Sequence, residues 1–276
     1  MTSAKIALLP DRGVISLTGP DAEKLLQGVI TNDMDLLGAQ PAIHAGLLTP
    51  QGKILFDFLL QRRDDGFLID CARAQRDALL KRLAMYKLRA KIEIAPREDR
   101  CIAISDSAAP GLFADPRTAN LGFRGFVESA PAAESKDYDA RRIALGIADS
   151  EADIGSGELF PHEANLDQLG AVSFSKGCYV GQEVVSRMEH RGTARTRILP
   201  LTLDGPAPAK GTAIRAGAKQ IGTMLSSSGD RALGLLRLDR LADAAEAGDR
   251  LLTESVEVHV IKPAWARFEI AIPQPA

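Results

Sequence analysis

The sequence predicts a protein in which helices and strands mix through most of the chain and a small all-β module closes it. Three observations support this. The first 105 residues alternate strand-like apolar runs with runs of helical period. Residues 106–167 change texture, with 12 Asp and Glu against 5 Lys and Arg and loops rich in Ala, Pro, Gly and Ser. After Ala194, short apolar runs alternate with Gly and Pro turns. The chain has 276 residues, 45% apolar and 25% charged, the balance of an ordinary globular protein. At about 150 residues per domain this suggests two domains.

Taken in order, residues 14–17 read as a short strand. Gly19-Pro20-Asp21 opens a helix through Ile30, because Pro suits a first turn and Asp21 and Glu23 suit the positive end of the helix dipole. Residues 42–48 and 54–61 flank Thr49-Pro50-Gln51-Gly52-Lys53, a turn signal between two apolar runs, and read as an antiparallel hairpin. Residues 67–71 read as a strand. Residues 75–88 place apolar side chains at 78, 79, 80, 83, 85 and 88, an amphipathic helix. Strands follow at 92–95 and 102–105. The acidic stretch holds one expected helix, 137–146, and one long surface loop, 147–161, of a kind that often carries function. The closing strands are expected at 198–203, 214, 221–226, 232–238 and 256–261, in a sandwich or barrel.

Several function classes are excluded. A formal net charge of −2 lacks the strongly basic balance of a general nucleic-acid binder, so direct nucleic-acid binding is not expected. Aromatics are 5% of the chain, with the single Trp265, too sparse for a base-stacking platform. No apolar run approaches the roughly 18 residues of a membrane helix. Met1 to Pro10 lacks the apolar stretch and cleavage pattern of a secretory signal. Cys71, Cys101 and Cys178 are too scattered for a disulfide scaffold, and an odd count leaves a free thiol. A reducing, cytoplasmic location and a monomer are expected. No C-x-x-C pair exists, and His44, His162, His190 and His259 are far apart, so there is no local zinc or cluster signature. Cys71 and Cys101 bound apolar strands and read as core.

The densest chemistry lies in Pro161-His162-Glu163-Ala164-Asn165-Leu166-Asp167 and in Lys176-Gly177-Cys178-Tyr179-Val180-Gly181-Gln182-Glu183. Gly177 permits an unusual dihedral or close approach to a ligand, and Gly181 feeds a helix. A thiol just before a helix N-terminus and near Lys176 should be drawn toward thiolate. Cys178 is thus either a reactive or ligand-binding thiol on a positioned loop or a small apolar residue in a tight turn. Tyr179 offers a ring face and a hydroxyl, or packs. His162 and Glu163 face a pocket or cap the end of the loop. Arg187, His190, Arg191, Arg195 and Arg197 form a basic run that suits an acidic partner, a polyglutamate tail or phosphate, or is a solvated helix end. Arg82, Lys87, Arg89 and Lys91 form a second basic group with the same alternatives.

The motif Lys-Gly-Cys-Tyr-x-Gly-Gln-Glu over 176–183 resembles the signature of the YgfZ proteins, folate-binding relatives of the T-protein (aminomethyltransferase) of the glycine cleavage system. Further landmarks stand in family order: Thr18-Gly19-Pro20-Asp21-Ala22, Leu26-Gln27-Gly28, Thr31-Asn32-Asp33, Leu48 to Lys53 with Asp57, Arg142-Ile143 to Gly146, Pro161 to Leu166, and Ala232 to Arg237. The resemblance implies an α+β, T-protein-like fold around a central channel. It divides the chain into a discontinuous folate-binding part (1–40 with 106–194), a ferredoxin-like α+β part (41–105) and a C-terminal β-barrel (195–276). It implies binding of tetrahydrofolate and a role in assembling or repairing iron–sulfur clusters in client enzymes, including tRNA-modifying ones. Cys178 is then the working residue, and Asp57, Arg142, Lys176, Gly177, Tyr179 and Gln182 are the candidates for the folate site.

The sequence departs from the T-protein at one informative place. The T-protein relatives carry two adjacent acids after the glycine turn matched by Gly52; here Phe56 takes the first position and Asp57 the second. A phenyl ring relays no proton, which counts against ordinary aminomethyl transfer. A folate-dependent one-carbon transferase and a non-catalytic scaffold docking clients through the basic run stand as the alternatives.

Overall fold

A computed structural model of the chain describes residues 6–128, 137–192 and 194–273. Residues 1–5 of the expected N-terminal segment, 129–136 of the acidic stretch, Thr193 and 274–276 lie outside the described residues.

Strands β1 (Ile6–Leu8) and β2 (Arg12–Thr18) lead into helix α1 (Ala22–Val29). The hairpin β3 (Ile43–Leu48) and β4 (Ile54–Arg63) follows, then β5 (Gly66–Ala72), α2 (Arg76–Lys87) and β6 (Glu93–Pro96). The strands pair antiparallel in the order β3-β4-β5-β2-β6. One face of this sheet is an apolar core. Ile15, Leu17, Ile43, Phe56, Phe58, Ile69 and Cys71 pack there with Leu26 of α1 and Leu79 and Leu83 of α2. α1 reaches it because Ala22, Leu26 and Val29 recur at helical spacing on one side. Each fully buried Leu contributes about 2 kcal/mol of transfer free energy.

Side chains alternate across a strand, so Arg12, His44, Asp57 and Asp70 occupy the opposite face. That face is buried too. A second sheet covers part of it, in the order β1-β7-β9-β8 with β7 (Cys101–Ser105), β8 (Phe113–Ala114) and β9 (Phe123–Val127). Val14 and Leu68 join Leu9, Ile102, Ile104, Phe113 and Phe126 between the two sheets. The sheets cross the segment boundaries expected from the sequence. β2 comes from 1–40 yet lies between β5 and β6, and β7 comes from 41–105 yet lies between β1 and β9. β2 is buried on both faces along most of its length, which suits a central strand with a neighbour on each edge.

Helices α3 (Tyr138–Ala144) and α4 (Gln182–Arg191) flank a long segment without strands. The expected surface loop 147–161 is an ordered connection. Asp149 caps a π-turn, Ser150–Ile154, by accepting from the amides of Glu151 and Ala152. Ser150, Asp153 and Ile154 are buried, and Ile54 exchanges backbone hydrogen bonds with Gly157 and Leu159. The C-terminal module is a closed barrel in the order β10-β13-β12-β11-β14-β15. Its strands are β10 (Thr196–Leu203), β11 (Ala213–Ala216), β12 (Lys219–Ser228), β13 (Arg231–Arg237), β14 (Leu251–Thr253) and β15 (Val256–Val260). A helix that the sequence reading did not include, α5 (Leu238–Ala247), sits between β13 and β14. It buries Leu241 and Ala244 on the barrel core and ends at Gly248 in the left-handed conformation.

Candidate functional site

The loop carrying Cys178 is held by residues far away in sequence. Thr31 Oγ1 donates to Ala171 O at 2.6 Å and accepts from Gly46 N at 2.7 Å. Asn32 Nδ2 bridges His44 O and Gly170 O, both at 2.8 Å. Lys176 Nζ donates to Ile30 O at 2.9 Å and Asn32 O at 2.7 Å. The Thr31-Asn32 dipeptide is therefore a clip that fastens the 170–176 segment to β3. Burial drives the Lys176 ammonium down to a pKa of about 8, only partly opposed by Asp33.

A second anchor is steric. Gly52, in the β3–β4 turn, and Gly181, before α4, have φ of +81° and +82° and approach each other closely. A Cβ on Gly181 would lie 2.6 Å from Thr49 O, and one on Gly52 would lie 2.8 Å from Val184 Cβ. Tyr179 and Val185 then enter a core with Leu48, Ile54, Leu166 and barrel residues Ile198 and Leu233. Between these anchors Gly177 and Cys178 are exposed, and Cys178 is a free thiol. The sequence motif thus divides into groups that fix the loop and groups that it presents.

Inside the fold lies a seam of paired charges. Arg12 Nε donates to Asp70 Oδ1 at 2.7 Å, Arg124 pairs with Asp70 and with Asp115, and Arg117 pairs with Asp115. At its edge His44 Nε2 donates to Asp57 Oδ2 at 3.2 Å. Burial pushes the Asp57 carboxyl up, but the hydrogen bond from His44 and the charges of His44 and Arg12 outweigh it and hold it below its ordinary 3.8. Three guanidiniums, Arg12, Arg117 and Arg124, thereby face three carboxylates, Asp57, Asp70 and Asp115. Buried charges are tolerated only with such partners.

His44 also lines a cavity of about 420 Å³, together with Asn32, Gln40, Ser173, Phe174 and Ser175. Its wall is the segment that leads into Lys176-Gly177-Cys178. Two buried polar atoms of the dyad, His44 Nδ1 and Asp57 Oδ1, have no protein partner. None of the sequence candidates lines this cavity; Asp57 stands behind it through His44, and Lys176 through the carbonyl of Asn32. Arg142 is a strut, bonded to Asp139 at 2.5 Å, Asp153 at 2.8 Å and Ser226 Oγ at 3.3 Å. It ties α3 to the π-turn and the barrel. Tyr179 packs, its phenol pushed by burial up to about 12. Gln182 opens α4 without lining the cavity. The Lys176 ammonium points into the fold, toward the carbonyls of Ile30 and Asn32. Sequence reasoning missed His44, Arg12, Asp70 and Arg124. The available signal was a charge at an inward position of an apolar strand, as in Phe56-Asp57-Phe58 and Ile69-Asp70-Cys71.

Comparison with known proteins shows the family and the fold. Residues 195–268 match the family model for the CAF17 C-terminal beta-barrel domain. The mitochondrial iron–sulfur cluster assembly factor IBA57 of Mus musculus is 32% identical, over 84% of this chain and 77% of its own. The chain belongs to the IBA57/CAF17 (YgfZ-type) family. The IBA57 homologue of Chaetomium globosum is 33% identical, over 92% of this chain and 76% of its own. The glycine cleavage aminomethyltransferase T of Bartonella henselae superposes with a TM-score of 0.74 at 15% identity, over 95% of this chain and 86% of that one. This IBA57 homologue therefore has the aminomethyltransferase fold with a six-stranded C-terminal barrel. No helix of the described residues is long and apolar enough to cross a membrane.

Proposed function

We propose that this IBA57-family protein binds tetrahydrofolate in the cavity beside His44 and supports assembly or repair of iron–sulfur clusters in client enzymes, tRNA-modifying ones included, through Cys178. The carrying observation is the exposed thiol on a loop fastened by three separate landmarks, Thr31-Asn32, the Gly52 turn and Lys176. Such fastening has a purpose if the thiol must stand in one place. A thiolate is a soft ligand suited to iron, and one exposed cysteine leaves the remaining ligands of a passing cluster to a partner.

The residues around the cavity fit a reduced folate. The volume is within the usual range of about 300–1,000 Å³ for a small-molecule site. Asn32, Gln40, His44 and the two serines provide donors and acceptors for a pterin edge, Phe174 a ring face, and the Asp57 carboxylate, with a free oxygen, sits behind His44. Phe56 lies on the opposite face of β4, in the apolar core, so this strand brings a single carboxylate to the seam. That favours a binding and accessory role over aminomethyl transfer. A reducing compartment, the cytoplasm on the sequence reading, suits three unpaired thiols, and the protein acts as a monomer. Calorimetric titration with tetrahydrofolate tests the folate part. Saturable binding, weakened at least tenfold in His44→Ala and Asp57→Asn, is expected; no heat at millimolar ligand refutes it.

A further inference from the structure

The turn after α2 has a surface that neither the cavity nor the cysteine loop uses. Residues 78–92 carry five cations, Lys81, Arg82, Lys87, Arg89 and Lys91, and no Asp or Glu. Among the described residues none of the five is in a salt bridge, whereas Arg76, earlier on the same helix, is paired with Asp77 and Glu98. Two large apolar side chains stand among these cations. Leu88 is 88% exposed and Met85 67% exposed, Met85 in the last turn of α2 and Leu88 directly past its end at Lys87. Leu88 also has a φ of +42°, a region that disfavours any residue with a Cβ. The turn is nonetheless fixed. Ala90 N donates to Lys87 O at 2.7 Å, Ile92 N to Ala90 O at 3.0 Å and Lys91 N to Asp21 Oδ2 at 2.7 Å. Exposed Lys24 of α1 lies alongside, next to a shallow groove of Leu25, Val29 and Ala90.

We propose that this basic knuckle docks on an anionic phospholipid surface. Charge complementarity selects an anionic partner. The shape selects a membrane: an apolar side chain that is 88% exposed stands on a protruding tip, whereas a cleft that grips a peptide half-buries its apolar lining. Cations around a protruding apolar tip form the pattern of reversible interfacial binding. The cations draw the protein to the surface, each adding about fivefold to partitioning, and Met85 and Leu88 enter the headgroup boundary and lose their contact with water. Binding is peripheral, in keeping with a chain whose described helices include none able to span a bilayer.

The test is co-sedimentation of the full chain with vesicles of phosphatidylcholine alone, or of phosphatidylcholine with phosphatidylglycerol, at ~0.05 M and ~0.5 M salt. Binding is expected to the anionic vesicles only and to fall with salt. Lys87→Gln with Arg89→Gln should weaken it about 25-fold. Met85→Ser with Leu88→Ser should remove the part that survives high salt. All four side chains are at least partly exposed, so both double variants should melt with the wild type, which a thermal scan checks. Failure to sediment with anionic vesicles at low salt overturns the proposal, as does binding that neither pair of substitutions weakens. Two further results also overturn it: self-association in sedimentation velocity that Met85→Ser with Leu88→Ser abolishes, which assigns the face to a second copy, and binding to polyglutamate without binding to vesicles, which assigns it to an acidic protein.

Discussion

Replacing Gly181 with Ala tests how the cysteine loop is positioned. The residue has φ +82° and ψ 0°, and an added Cβ would lie 2.6 Å from Thr49 O, 3.0 Å from Gly52 Cα and 3.1 Å from Leu48 Cβ. Holding alanine in the left-handed region costs about 1–2 kcal/mol. Relieving the contact with the β3–β4 turn costs about 1–3 kcal/mol more. Restricting the unfolded chain returns about 0.4–1 kcal/mol. The net loss is about 2–4 kcal/mol, a fall of roughly 5–15 °C in melting temperature for a chain of this size. Gly177 provides the control. It does not have positive φ, and a Cβ there would meet nothing within 4 Å, so Gly177→Ala should stay within about 0.5 kcal/mol of the wild type. Thermal denaturation of the two variants side by side is the assay. If they melt together, Gly181 does not hold the loop by close approach, and the interlock with Gly52 has no energetic weight.

Asp70→Ala should destabilise by about 3–5 kcal/mol, because it leaves Arg12 buried without its carboxylate and Arg124 with Asp115 alone; a chemical denaturation midpoint close to that of the wild type would refute the seam as a paired network. The Lys176 ammonium is depressed from 10.5 to about 8, so between those values the unfolded chain binds more protons and stability rises with pH. Melting of the wild type relative to Lys176→Met should therefore improve from pH 8 toward 10.5, and a flat difference would count against burial of the ammonium. Cys71 is buried and its thiol is pushed up to about 12, so iodoacetamide mapping by mass spectrometry should label Cys178 long before Cys71; the reverse order would contradict the exposure of the motif.

Much of the fold was legible because its elements obey local rules. The β3–β4 hairpin shows a turn signal between two apolar runs, and β10 to β13 and β15 show as short strands between turn residues. Helix α5 was hidden because Leu235-Leu236-Arg237-Leu238 extends the apolar pattern of β13, with one charge, to the first helical residue. The motif around Cys178 was legible as a place where chemistry concentrates, but not the division of labour within it. Lys176 beside a thiol reads as an activating charge; only the tertiary fold turns its ammonium toward Ile30 and Asn32. The acidic stretch read as loops with one helix and a surface loop at 147–161, yet Asp115, Asp153 and Asp167 are partners of the arginines Arg124, Arg142 and Arg197. Arg197 thereby leaves the basic run and becomes an internal strut. These partners stand 9, 11 and 30 residues apart; which acid meets which arginine depends on how the intervening chain folds back, and composition does not carry that information. His44 was overlooked because an isolated histidine in a strand has no local partner; its role arises from Asp57 on the neighbouring strand.

On the proposed function, Cys178 is presented for work on clusters rather than for folding. Complementation of a strain lacking the protein by Cys178→Ala, with iron–sulfur enzyme activity as the readout, tests it most directly. The variant is expected to melt like the wild type and bind folate equally well but to restore no client activity. Full restoration by that variant would contradict it.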